Sequence, residues 1–262
     1  MPGSSSSGDR PRSLFPSACF PTISLFERNP VLDEILRTKV TRTPEGESVA
    51  LDSFIDGNTA EAIYRHVRAQ KPQIAVEIGM ANAISTMAIL TALEENGGGG
   101  RLVSIDPNQS TQWRNCGRAA VQRAGLSHRH QVMEEADWSA LPGLLGLGTR
   151  IEFGYIDGWH TFDYALLDFW YLDKMLRKEG VIAFNDCGWP AVAKVMDFVL
   201  THRRYGEIDA GLPKTYQRPS GVVDVLRKAK HGCLGDYFRQ CQDRYFRKLE
   251  EWEPTWNFYK AF

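Results

Sequence analysis

The sequence predicts an α/β fold, a mostly parallel sheet wound with helices on both faces. Three observations predict it. Short apolar runs ending in Gly, Asp or Asn recur along residues 74–185, each is followed by a stretch with helical periodicity, and five such units follow one another. Alternation of this kind builds a parallel sheet with right-handed crossovers.

The elements follow in order. Residues 13–50 are rich in Pro, Thr and Arg and read as an N-terminal arm with a short helix at Val31–Leu36. Asp56–Gly57–Asn58 is a turn, and Thr59 is expected to cap a helix over Ala60–Ala69. Ile74–Ile78 is a short apolar run, as expected of a parallel strand buried on both faces. A helix follows from Ile84 to Glu95, closed by Gly97–Gly100. The later units are Leu102–Asp106 with Trp113–Ala124, His130–Met133 with Ser139–Leu145, Ile151–Asp157 with Phe162–Arg177, and Val181–Asn185 with Ala191–His202. A late strand over Gly221–Leu226 and a charged helix over Gly235–Glu250 are expected, then an aromatic tail of Trp252, Trp256, Phe258, Tyr259 and Phe262. The tail reads as packing on the core, with a pocket wall or a homodimer contact as alternatives.

Composition narrows the function classes. The 262 residues are 43% hydrophobic and 24% charged, with net charge −1. No basic block is long enough to track phosphates, so nucleic acid is not the expected partner. No apolar run approaches the ~20 residues that span a bilayer, and Met1–Arg12 lacks the apolar core of a signal peptide and reads as a flexible tail. Five scattered cysteines show no CxxC pair or disulfide framework, which suits a reducing cytoplasm.

Ligands of such sheets bind beyond the carboxyl ends of the strands. That rule selects Glu77–Ala83, Asp106–Pro107, Glu134–Trp138, Asp157–His160 and Asn185–Gly188. The first of these holds Gly79 as its one glycine, so it is not the GxGxxG loop that dinucleotides need. Asp106, 29 positions after Glu77, is a carboxylate able to accept from both hydroxyls of a ribose.

VEIGMANAIST followed by LVSIDP resembles motifs I and II of class I S-adenosylmethionine (SAM)-dependent methyltransferases. The later run YIDGWHTFDYALLDFWYLDKMLRKEGVIAFNDCGWPAV resembles a bacterial subgroup of small-molecule O-methyltransferases that reads IDGxHxFxxxxxD and then GGxIxxDD. The resemblance spans about residues 45–205 and implies a Rossmann-like, doubly wound, seven-stranded sheet. It implies that Glu77 contacts or orders the methionine amino end, that Gly79 and Ala81 pass beneath the cofactor, and that Ser85 lies near its carboxylate. Asp106 would hold the ribose, Asp137 or its neighbours would meet the adenine edge, and Asp157 would border the cofactor. The family usually has Gly where this chain has Ala83, whose methyl would crowd the cofactor.

At the chemical end, His160 lies three residues after the end of the fourth strand, where a base for an alcohol or phenol is needed. Asp157, Asn185 and Asp186 lie at neighbouring strand ends, an oxygen-rich set that suits Mg²⁺. Trp159 and Trp189 are candidates for an apolar acceptor wall, whereas Asp163 and Asp168 read as solvated or capping groups. The expected division is a tail and arm over 1–50, a SAM-binding domain over 51–230 and a C-terminal helix and tail over 231–262. The expected activity is methyl transfer to a small molecule. The alternatives are a degenerate SAM-fold scaffold and an NAD-type oxidoreductase, the latter opposed by the missing glycines.

Overall fold

The computed structural model describes residues 24–212 and 243–260. The first elements are α1 (Leu25–Arg28), α2 (Pro30–Thr38), a hairpin of β1 (Val40–Arg42) and β2 (Ser48–Ala50), and α3 (Gly57–Gln70). The repeating units follow as β3 (Ile74–Ile78), α4 (Ile84–Asn96), β4 (Arg101–Ile105), α5 (Cys116–Arg123), β5 (His130–Met133) and α6 (Asp137–Gly146). Then come β6 (Ile151–Ile156), α7 (Phe162–Met175), β7 (Leu176–Phe184), α8 (Pro190–His202), β8 (Tyr205–Ile208) and β9 (Arg244–Lys248).

Seven strands form one sheet in the order β5-β4-β3-β6-β7-β9-β8. The first five are mutually parallel, and β9 enters antiparallel between β7 and β8. The chain order reverses at β3, which places a crevice beyond the ends of β3 and β6. Two apolar layers cover the faces. One joins Ile63, Val67, Met87 and Leu90 of α3 and α4 to the sheet; the other joins Leu141, Phe169, Leu172 and Val195 of α6, α7 and α8. Helix α4 is buried along Ile84–Leu93, where the polar side chains are only Ser85, Thr86 and Thr91. This is the Rossmann-like doubly wound fold the sequence predicts.

Several expectations change. The α3 cap is Asp56, whose Oδ1 accepts from the Thr59 amide at 2.8 Å, so Thr59 lies inside the helix. Of the arm, residues 24–50 pack on the domain, with Leu25, Leu32 and Ile35 fully buried. Part of the expected helix over 235–250 is instead β9. Its Tyr245 and Phe246 are both buried because helices cover the sheet on each face, and Lys248 is buried against Asp173, Nζ to Oδ1 3.1 Å. Strand β8 carries no periodic signal of its own and exists by pairing with β9. Residues 221–226 and Phe262 lie outside the described residues. In the tail, Trp252 and Phe258 meet edge to face, whereas Trp256 and Tyr259 are exposed. No helix among the described residues is long and apolar enough to cross a membrane.

Candidate active site

A cavity of about 1300 Å³ opens beyond the carboxyl ends of β3, β4, β6 and β7. It exceeds the roughly 300–1,000 Å³ of a pocket for one drug-sized ligand, leaving room for a cofactor and an acceptor side by side. Gly79, Ala81, Asp106 and Asp137 line it, together with Asp157, His160, Asn185, Asp186, Trp189 and Asp243.

The loop after β3 is shaped by close approach. Gly79 has φ +87°, and a Cβ there would lie 2.1 Å from the backbone oxygen of Asp157. Only glycine fits. Ala81 and Ala83 also take left-handed backbone, at φ 43° and 67°. Ala83 is wholly buried and is absent from the cavity wall, so its methyl does not crowd a ligand there. The family's glycine answers the backbone conformation, and in this chain alanine bears that strain.

Glu77 and Ser85 are not among the residues that line the cavity. The Glu77 carboxylate is fully buried and accepts from Ser85 Oγ at 2.6 Å, Thr86 Oγ1 at 2.7 Å and Ser104 Oγ at 2.6 Å. It thereby ties β3 to α4 and β4, holding the loop from behind. Burial pushes its carboxyl up to about 7, against the three hydroxyl bonds that favour the charge.

Asp106 does line the cavity. Its Oδ2 accepts from the amides of Met80 (3.2 Å) and Ala81 (2.8 Å) and from Gln109 Nε2 (2.9 Å), while Oδ1 accepts from the Asn108 amide at 2.9 Å. Oδ2 thus carries three donors and Oδ1 one, which leaves Oδ1 the freer acceptor of the two. Asp137 opens α6 and accepts from the Trp138 amide at 2.7 Å, with its side chain at the cavity edge.

His160 Nε2 lies 3.5 Å from Asp157 Oδ1 and 3.3 Å from Asp186 Oδ2, and the ring stacks on Trp189 at 5.6 Å. Burial opposes protonation of His160, but the hydrogen bond to Asp157 and the charges of Asp186 and Asp157 outweigh it and raise its pKa. Burial lifts Asp157 to about 6, with the His160 bond opposing. The imidazole therefore occupies the gap between the two carboxylates where a divalent ion would sit. Asn185 Nδ2 donates to Tyr155 Oη at 3.3 Å, turning the amide toward that phenol. Among the described residues no group of three or more His, Cys, Asp or Glu is placed to hold a metal. An ion held by Asp157, Asn185 and Asp186 would have to displace the His160 imidazole from between the two carboxylates.

Asp243, just before β9, was missed by sequence reasoning. It is 5% exposed, its Oδ2 has no hydrogen-bond partner among the described residues, and burial pushes its carboxyl well above the usual range. Lying far from the motifs and within Gly235–Glu250, which reads as helix, it carries no sequence signal. Trp159 and Trp189 line the cavity as expected and are more than half exposed.

Residues 76–187 match the family model of a methyltransferase domain. Together with the fold and its cavity, that segment defines the class of protein, a SAM-dependent methyltransferase. No curated protein sequence matches the chain. Among solved structures, the chain is similar to an O-methyltransferase from Bacillus cereus in complex with S-adenosylhomocysteine (SAH). The identity is 19%, with 69% of this chain and 83% of that one covered and a TM-score of 0.54. A methyltransferase from Geobacter sulfurreducens matches at 14% identity over 90% and 93%, with TM-score 0.55. The O-methyltransferase TomG from Streptomyces achromogenes, involved in tomaymycin synthesis and bound to SAM, matches at 16% over 70% and 80%, with TM-score 0.51. At these identities the likeness shows the fold.

Proposed function

We propose that the chain methylates a hydroxyl oxygen of a small-molecule acceptor, with His160 as general base. The observation that carries this reading is the placement of His160 Nε2 between Asp157 and Asp186 on the wall of the cavity that Asp106 and Gly79 also line. A proton on Nε2 serves the two carboxylates and leaves Nδ1 basic, so the carboxylates orient the ring and stabilise the imidazolium that forms. When bound, SAM supplies a methyl whose bond to sulfur breaks as the bond to oxygen forms. His160 takes the hydroxyl proton, and the aromatic faces of Trp159 and Trp189 hold the acceptor in near-attack geometry. The O-methyltransferases among the similar structures support oxygen as the acceptor atom.

Calorimetric titration with SAM and SAH tests the cofactor half. Asp106→Ala is expected to weaken SAM binding about tenfold or more, because a charge-assisted bond to the ribose and the order of the Met80–Ala81 backbone are lost together. Unchanged affinity would remove Asp106 from the site, and no SAM binding by the native chain would favour a scaffold.

A base must be deprotonated to act, so kcat/KM is expected to rise with pH through a midpoint above 6.5, the usual value for His. It should fall more steeply below about pH 6, where Asp157 also takes a proton. Because Asp157 raises His160, Asp157→Asn should move the midpoint to lower pH; a midpoint that stays put would uncouple the pair.

The magnesium ion expected from Asp157, Asn185 and Asp186 would have to displace the imidazole from between the carboxylates. Turnover is therefore expected to persist in EDTA, and loss in EDTA with recovery on Mg²⁺ add-back would restore the metal reading.

A further inference from the structure

Asp168 lies in the middle of α7, wholly buried, and neither of its oxygens has a donor among the described residues. It sits directly beneath the loop that carries the base. A Cβ on Gly158 would come within 3.7 Å of its Oδ2. The expected solvated or capping role is therefore wrong. A carboxylate cannot stay ionised in such a place without a partner.

Its polar neighbour is another acid, Asp137, within hydrogen-bonding reach. Two carboxylates only accept, so a bond between them needs one proton. The environments decide where it resides. Asp137 accepts from the Trp138 amide and borders the cavity. Asp168 does neither. Burial first, and the charge on Asp137 second, push its carboxyl well above the usual range.

We propose that Asp168 is a neutral acid that donates a hydrogen bond to Asp137, and that this bond aims the Asp137 carboxylate at the 6-amino group of the cofactor's adenine. The aim rests on the cofactor reading above; the shared proton does not. Asp168 is thus a positioning residue that acts through Asp137. It also accounts for the acid that closes IDGWHTFDYALLD, which the mechanism leaves unused.

The probes are SAH and S-inosylhomocysteine, whose 6-oxo group accepts where the amine of adenine donates. The native chain is expected to bind SAH about tenfold or more tightly than the 6-oxo analogue, since the latter sets an acceptor against Asp137. Asp168→Asn keeps that preference, because its amide still donates. Asp168→Ala loses about tenfold in SAH affinity and most of the preference. Infrared difference spectra of the cofactor-free protein at pH 8 should show a protonated-carboxyl band that is absent from Asp168→Asn, which keeps the test informative should the alanine variant not fold. A missing band, a native chain indifferent to the base, or an asparagine variant as impaired as alanine would each overturn the proposal. Failure of SAH to bind the native chain strikes the cofactor reading instead, and the infrared band separates the two.

Discussion

His160→Gln is expected to lower kcat by about 10²–10⁴-fold, the usual contribution of a positioned general base, while SAM affinity stays within about twofold. The split follows from geometry. In the proposed reading SAM lies along Gly79, Asp106 and Asp137, whereas His160 stands with Asp186 and Trp189 on the acceptor side. Glutamine keeps polarity and approximate length but cannot accept a proton at neutral pH. Single-turnover methyl transfer, followed by SAH release and paired with calorimetric SAM binding, reads both quantities. Turnover within threefold of native would remove His160 as the base. Equal loss of SAM affinity would recast it as a cofactor contact.

Gly79→Ala is expected to cost roughly 2–4 kcal/mol of stability and to abolish measurable SAM binding. Two effects combine. The backbone at φ +87° is costly for any residue with a side chain, and the new Cβ would meet backbone atoms of Asp157 at 2.1 and 2.6 Å rather than a side chain that can swing away. The chain must therefore separate the ends of β3 and β6. That move also displaces Asp157, which sets the orientation of His160. For a domain of this size the loss corresponds to a fall of roughly 4–16 °C in Tm, readable by calorimetry. Ala81→Gly, at φ 43°, supplies the control, because it relieves a left-handed residue in the same loop and adds no atom. Native-like melting and SAM affinity in Gly79→Ala would show that the loop has more freedom than this packing allows.

The legible part of the fold was its local part. Strand β3 stands where its apolar run predicts, and α4, α6, α7 and α8 lie within two residues of expectation. In each case the signal is short-range, a buried apolar run or a helical stripe that any chain of this composition must bury. β8 and β9 were illegible for the opposite reason. RYFRK is a strand only because β7 and β8 offer it two partners and helices bury both its faces. The same division runs through the site. Gly79, Asp106, Asp137, Asp157 and His160 reach the cavity because strand ends converge in this fold. Glu77 and Ser85, equally prominent in the motif, turn toward each other because the fully buried Glu77 carboxylate needs hydroxyl donors.

By itself the sequence determined the doubly wound sheet, the end of it that holds the cavity, and the residue types available there, since periodicity and strand-end position are properties of the chain alone. The tertiary structure decided which of those residues face the cavity and which face one another. It seated His160 between Asp157 and Asp186, brought Asp243 in from a distant strand, and buried Asp168 against Asp137. The physical reason is that burial and charge pairing depend on neighbours far away in sequence, and those neighbours exist only once the sheet has closed.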